Sequence, residues 1–176
     1  DESGHSGKNI FDESSPLYYQ GAIVSVNDIE DKVKPVIEKY CREFNVERLH
    51  GFELGEEKVN LICKELFVVL DNFDWNFHCT VIEKTYIVAT KFVDSLFDPF
   101  YNKSILPFWY ELPLFRHTLC LVIDELMDEP LSKEFWNSYL KDDIDNVILI
   151  CNQLIKKTSS INDKRLQEMT FDGLSY

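Results

Sequence analysis

The sequence predicts an α/β domain in which a small mixed sheet is flanked by helices and the C-terminal half is rich in helix. Segments 17–26 and 75–82 have the composition or the alternation of strands. Segments 33–44 and 55–70 repeat apolar residues at the spacing of amphipathic helices. The chain has 176 residues, enough to bury a core. We expect residues 1–176 to form a single domain that is truncated at both ends.

The chain begins with an acidic turn, Asp1-Glu2-Ser3-Gly4, of the kind that presents a carboxylate at the end of a strand. Residues 1–16 are polar and contain Gly4, Gly7 and Pro16, which predicts a loop that leaves an earlier strand. Segment 17–26 is aromatic and β-branched, so it is predicted to return as an antiparallel strand.

Segment 33–44 is predicted to be an amphipathic helix with Pro35 in its first turn. Its outer face carries a basic strip that either is simply solvated or contacts phosphate: Lys32, Lys34, Lys39 and Arg42. Segment 45–54 is predicted to be a short strand or an extended turn. Segment 55–70 is predicted to be a second helix, whose start carries Glu56 and Glu57 beside the positive end of the helix dipole.

Segment 75–82 alternates apolar and polar residues, which predicts a strand with His78 on its polar face, either at the surface or facing a site. Segment 86–108 predicts one or two short helices and then a loop around Pro107 and Pro113. A buried helix is predicted at 115–127.

Helical spacing continues over 136–155, with a break at 141–143. The last segment, 158–176, is polar as far as Phe171 and is predicted to contain no closing element.

Charge and cysteine usage limit the function classes. The chain has 18 Lys and Arg against 31 Asp and Glu, and its net charge of -13 opposes strong binding to a phosphate backbone without added cations. The five cysteines form no metal-binding spacing, which favours reduced thiols in a cytoplasmic protein. No apolar run approaches the ~20 residues that span a membrane, so no membrane partner is expected.

A composite motif covers the first hundred residues. Asp1-Glu2-Ser3-Gly4 is followed by the strand LYYQGAIVSV, then by a helix, by the segment ERLHG, and by a strand that ends in VIEKT. This arrangement resembles the domain-of-unknown-function 3800 family. The helical remainder shares little with it, and the family's C-terminal Gln and Asp signature has no match here, which we interpret as truncation.

The resemblance implies a ribonuclease H-like fold in which carboxylates gather around a divalent metal at the ends of strands. It assigns catalytic roles to Asp1, Glu2, Glu47 and His50, and metal binding to Asp1, Glu47 and Glu53. Hard cations such as Mg²⁺ or Mn²⁺ prefer such oxygen ligands. His50 would carry a proton or support a ligand. The implied function is a metal-dependent phosphodiesterase, a nuclease-like hydrolase that acts on nucleic acid.

Two other interpretations stay open from the residues alone. Asp-Glu-Ser-Gly is also a good turn sequence, and the acidic residues would then be solvated. Alternatively, the chain is a non-catalytic protein-protein interaction module or oligomer that keeps the fold. Its contact patch would then use aromatic residues that otherwise fill the core: Phe100, Tyr101, Phe108, Trp109 and Tyr110.

Overall fold

A computed structural model describes residues 2–5 and 7–176 of the chain. The fold is mixed α/β, as predicted. It divides into two compact units, which we call the small unit (residues 20–80) and the large unit (residues 2–19 and 81–176). The assignment of 1–176 to one domain stays a prediction.

Three strands are present in the described part of the chain: β1 (Glu2–Ser3), β2 (Leu17–Ser25) and β3 (Trp75–Glu83). They form one antiparallel sheet in the order β1-β2-β3. Both long strands were predicted from composition and alternation. The sequence predicts a mixed sheet, whereas the described strands are antiparallel. The connecting segment returns the chain to the end of β2, where the Ser25 Oγ donates to the carbonyl oxygen of Asp74 at 2.8 Å.

The small unit contains three helices: α1 (Glu30–Phe44), α2 (Gly51–Leu54) and α3 (Glu56–Leu70). Both longer helices were predicted, and α1 packs on α3. The buried cluster between them is small. It consists of Val36, Tyr40 and Ile62, with partly buried apolar neighbours.

The start of α1 differs from its prediction. The helix begins at Glu30, so Pro35 lies inside it and not in its first turn. The Asp28 carboxylate accepts a hydrogen bond from the Glu30 N–H at 3.0 Å. Acidic residues follow in the first turn, Glu30 and Asp31, where they complement the helix dipole. These contacts favour the earlier start.

The prediction of a short strand or an extended turn at 45–54 is wrong for its second half, because the chain forms α2 there. The carbonyl oxygen of His50 accepts hydrogen bonds from the N–H groups of Glu53 and Leu54, at 3.1 and 3.0 Å. His50 itself has an extended backbone and immediately precedes the helix as its N-cap residue. A four-residue helix is too short to produce a helical pattern in the sequence.

The large unit consists mainly of helices: α4 (Tyr86–Leu96), α5 (Pro107–Glu111), α6 (Pro113–Leu126), α7 (Glu129–Lys141), α8 (Ile144–Lys157) and α9 (Lys164–Ser175), with a 3₁₀ turn at Thr158–Ser160. Its core contains side chains that are entirely or almost entirely removed from solvent, among them Phe92, Phe97, Ile123, Phe135 and Leu154. This is the larger of the two cores, so the large unit contains most of the buried apolar surface.

Three helix boundaries in the large unit show how local residues determine where helices begin and end. The break predicted at 141–143 is confirmed: Asp142 has a left-handed φ of 55°, and the Asp143 carboxylate accepts from the Asn146 N–H at 3.2 Å. By contrast, Pro107 and Pro113 do not form a loop but begin α5 and α6. Proline suits the first position of a helix because no N–H is needed there.

The prediction that segment 158–176 lacks a closing element is also wrong, since α9 ends the chain. The Asp163 carboxylate accepts hydrogen bonds from the N–H groups of Arg165 and Leu166, at 2.9 and 3.0 Å. The buried side of α9 is formed by Met169, Thr170, Gly173 and Leu174. Two of these four residues are small or polar, which hides the helical pattern from a hydrophobicity argument.

Candidate functional site

Gly4 holds residues 2–4 against the start of β2, within the large unit. Its φ of +86° lies in the left-handed region that favours glycine. A Cβ atom at this position would lie 2.1 Å from the carbonyl oxygen of Leu17 and 3.3 Å from the Cα of Tyr18. Both neighbours are backbone atoms, so they cannot rotate away. Only a glycine therefore fits at this position of the motif, and its close approach to Leu17 and Tyr18 brings β1 next to β2.

Of the two leading carboxylates, Glu2 lies in β1 and is exposed. Asp1, the first predicted metal ligand, lies outside the described residues. Glu2 lies two residues before Gly4, whose backbone contacts Leu17. The structure therefore holds the second carboxylate of the motif near the point where β1 ends.

β3 ends at the same end of the sheet, beside the start of β2. The N–H of Lys84 donates to the carbonyl oxygen of Pro16 at 3.0 Å, just before β2 begins. The Lys84 side chain is buried, with the residue 3% exposed, and its Nζ donates to the Ser15 Oγ at 3.2 Å. A buried ammonium group thus lies where β1 ends, β2 starts and β3 ends.

A cleft of about 420 Å³ opens at this end of the sheet, and all the residues that line it belong to the large unit. We call it the acidic cleft because four carboxylates line it: Asp12, Glu13, Asp124 and Glu129. Apolar and small polar residues complete its wall: Ile10, Phe11, Pro16, Thr85, Met127 and Ser132. The carboxylates come from the 10–16 loop, from α6 and from the start of α7.

The carboxylate of Asp12 already has partners on its own loop. It accepts hydrogen bonds from the N–H of Ser14 at 3.0 Å and from the Ser14 Oγ at 2.6 Å. These hydrogen bonds, and to a lesser extent the charge of Lys84, lower the pKa of Asp12. Asp12 therefore stays ionised and serves mainly to fix the turn into β2.

Asp124 behaves differently from Asp12. Partial burial of its carboxyl group raises its pKa, and the nearby charge of Glu83 adds to that shift. The carboxylates of Glu83, at the end of β3, and Asp124, on α6, therefore repel one another. A proton or a cation would relieve that repulsion.

The remaining predicted site residues lie in the small unit, around α2. Glu47 is exposed in the turn after α1, and Glu53 is exposed on α2. His50 is half-buried, and its Nε2 is a buried atom that has no hydrogen-bond partner among the described residues. Segment 47–53 therefore carries all three of these residues, but only His50 is shielded from water.

Within residues 2–5 and 7–176, no three His, Cys, Asp or Glu side chains converge in a way that could hold a metal ion. The described carboxylates have the oxygen chemistry that Mg²⁺ or Mn²⁺ prefers. They do not by themselves form a complete ligand set. The metal site therefore stays a prediction that depends on Asp1.

Sequence reasoning missed Lys84 and the four carboxylates of the acidic cleft as possible site residues. One signal was present: Asp12-Glu13-Ser14 repeats the letters of Asp1-Glu2-Ser3. The others had no local signal, because α6 and α7 reach the cleft only through tertiary packing. Glu129 lies at the start of α7, where the Asp128 carboxylate accepts a hydrogen bond from the Leu131 N–H at 3.0 Å.

The aromatic segment around α5 is divided between surface and core. Phe100 and Tyr101 are 73% and 71% exposed, and Phe108 is 43% exposed. Trp109 and Tyr110 instead pack against the core of the large unit. The predicted contact patch is therefore reduced to its first three residues.

Comparison with known proteins gave no match to a family model, to a curated protein or to a solved structure. Among the helices of the described residues, none combines the length and apolar character needed to span a membrane. The resemblance to the domain-of-unknown-function 3800 family stays a prediction that rests on the motif residues alone.

Proposed function

We propose that the chain is a divalent-metal-dependent phosphodiesterase, a nuclease-like hydrolase whose metal end is the Asp-Glu-Ser-Gly segment. The observation that carries the proposal is the contact between Gly4 and the carbonyl of Leu17. If the acidic turn were simply solvated, its glycine would lie in open space and would not need to approach the backbone of another strand. The ribonuclease H-like fold belongs to the same proposal, supported by the order strand, strand, helices and strand.

In this proposal Asp1 is the first ligand, Glu2 orients or supports it, and Glu47 and Glu53 add carboxylates. Mg²⁺ or Mn²⁺ would stabilise the charge on the phosphodiester and activate a bound water. His50 would hold or move a proton. Its Nε2 is shielded from water and has no hydrogen-bond partner among the described residues. This supports the role, because leaving a buried polar atom unpaired costs free energy unless a ligand or substrate pairs with it.

The charge of the chain gives the cation a second role. The net charge of the chain is -13, so a phosphate group that approaches this protein is repelled by it. A bound divalent cation reverses that repulsion locally. We therefore expect activity to depend strictly on the metal, and the five free thiols support a reducing, cytoplasmic setting.

The test is hydrolysis of fluorescently labelled single-stranded RNA and DNA in the presence of Mn²⁺, with EDTA as the metal-free control. Asp1→Asn and Glu2→Gln should each reduce the rate by at least about tenfold, the lower end of what loss of a metal site or its support costs. Glu13→Gln is the matched control, because Glu13 occupies the same place in the second Asp-Glu-Ser sequence. Hydrolysis that persists in Asp1→Asn, or that resists EDTA, would overturn the proposal.

A second candidate function is a protein-interaction module, which the exposure of Phe100 and Tyr101 favours. The ring centroids of these side chains lie 4.9 Å apart, and the Lys103 Nζ lies 5.5 Å from the centre of the Phe100 ring. Together they form a compact exposed aromatic surface. If it binds a partner, Phe100→Ser and Tyr101→Ser should abolish that binding while leaving the fold unchanged.

A further inference from the structure

The outer edge of β3 is unpaired in the described part of the chain. The sheet order β1-β2-β3 places β3 at one edge, with no described strand beyond it. Residues 76–81 are all exposed. They include two large apolar side chains, Phe77 at 60% and Val81 at 52% exposure. This edge therefore offers backbone N–H and C=O groups together with apolar surface.

The edge also lacks the features that normally prevent pairing. Natural edge strands carry lysine, proline or inward-pointing charge to block a second strand. β3 has one such residue, Glu83 at its end, and residues 75–82 contain no Asp, Glu, Lys, Arg or Pro. On a chain with a net charge of -13, this stretch of β3 without Asp, Glu, Lys or Arg is a place where two copies can approach without direct repulsion between facing side chains of residues 75–82.

The residues of β3 are self-complementary about Cys79. Phe77, Cys79 and Val81 alternate along the strand, so their side chains lie on one face of it. Phe77 and Val81 are equally distant from Cys79 in sequence. Antiparallel pairing of two β3 strands about a twofold axis at Cys79 would therefore place each Phe77 opposite the other copy's Val81. It would place the two Cys79 residues opposite each other.

The stability of the strands gives a reason for such pairing. β1 has only two residues, so most of β2 and β3 is a two-stranded ribbon. Two-stranded ribbons are marginally stable in water, and a third strand or a packed helix is usually needed. Exposed apolar residues on the ribbon would lose contact with water when a further strand pairs.

We propose that a second copy of this chain pairs with β3 along its outer edge, in the antiparallel register centred on Cys79. The inference is independent of the phosphodiesterase function. In this register the two Cys79 Cα atoms lie about 4.5–5.5 Å apart, as opposed residues do in antiparallel sheets. That separation falls inside the range that a disulfide bridges. Mild oxidation should therefore link two copies through Cys79.

The experiment combines sedimentation velocity across protein concentration with oxidation by copper phenanthroline and peptide mapping by mass spectrometry. The expected result is a dimer whose intermolecular disulfide joins Cys79 to Cys79 and is absent in Cys79→Ser. Higher salt should favour the dimer, since both copies carry the same net charge. Phe77→Lys should weaken it by about tenfold, because it removes an apolar cross-strand pair twice in each dimer.

Tyr101→Ser is the matched control, since Tyr101 is another exposed aromatic residue but lies outside β3. Circular dichroism of Phe77→Lys checks that the variant folds. A monomer at all concentrations would overturn the proposal. So would a dimer that survives Phe77→Lys but is lost in Tyr101→Ser, or one whose disulfide maps to another cysteine.

Discussion

The backbone of Gly4 lies so close to the carbonyl oxygen of Leu17 that an added Cβ atom would approach that oxygen to 2.1 Å. The contact joins the acidic motif to the start of β2. Because it involves only backbone atoms of the neighbour, it cannot be relieved by a change of rotamer. The close approach makes Gly4 a structural requirement of the motif.

Gly4→Ala should therefore lower the free energy of unfolding much more than Gly7→Ala. Both glycines have positive φ, of 86° and 61°, so both variants incur the left-handed penalty of about 1–2 kcal/mol. Gly7 has no atom within 4 Å of an added Cβ, so its cost ends there. Gly4→Ala adds a backbone overlap, for a total of about 3 kcal/mol or more. Urea unfolding of both variants measures the difference, and equal losses would show that the contact is not maintained in solution.

Glu65→Gln should lower the stability of the small unit near neutral pH. The Glu65 carboxylate accepts hydrogen bonds from the Lys39 Nζ at 2.5 Å and from the Tyr40 hydroxyl at 2.8 Å. These bonds, first from Lys39 and then from Tyr40, lower the pKa of Glu65 below its ordinary value of 4.5. A carboxylate with a lowered pKa stabilises the folded state above its unfolded pKa, and that stabilisation is lost as the pH falls through the folded pKa.

The difference between wild type and Glu65→Gln should therefore be constant above about pH 5 and shrink below pH 4. Urea midpoints from pH 3 to pH 8 measure it. Glu38→Gln is the control, since Glu38 is exposed on the same helix as Lys39 and makes no ion pair with a described residue. A difference that does not change with pH would contradict this account of Glu65.

Asn102→Ala should destabilise the large unit by about 3 kcal/mol, because it leaves buried polar groups without partners. The Asn102 side chain is buried, and its Nδ2 donates to the carbonyl oxygens of Leu96 and Gly173 at 2.7 and 2.8 Å. Its Oδ1 accepts from the Ser104 N–H at 3.1 Å and from the Ser104 Oγ at 2.6 Å. Asn102 thereby connects the end of α4 to α9.

Thermal or urea unfolding followed by tryptophan fluorescence measures the loss. Asn152→Ala replaces an exposed asparagine on α8 and should change stability by less than about 0.5 kcal/mol. If the two variants proved equally stable, the connection between α4 and α9 would not depend on Asn102.

The regular elements with strong patterns could be predicted from the sequence. Alternation identified β3, and helical spacing identified α3, whose buried residues include Ile62 and Leu70. α9 was missed because its buried face includes Thr170 and Gly173, which a hydrophobic pattern does not register. α2 was missed because four residues cannot show a period.

The candidate site could be predicted only in part. The motif at Asp1 to Gly4 is contiguous, so it is visible in the sequence. The acidic cleft is not, since Asp124 reaches it from α6 and Glu129 from α7. Such convergence depends on tertiary packing and leaves no spacing in the sequence. The burial of Lys84 is similarly invisible, because lysine is almost always exposed.

The most direct test of the proposed function is a calorimetric titration of the protein with Mn²⁺. We predict saturable binding that is lost in Asp1→Asn and kept in Asp12→Asn. Asp12 is the matched control because it begins the second Asp-Glu-Ser sequence and its carboxylate already caps the Ser14 turn. Absence of saturable binding, or equal loss of binding in both variants, would contradict a metal site at the Asp-Glu-Ser-Gly segment.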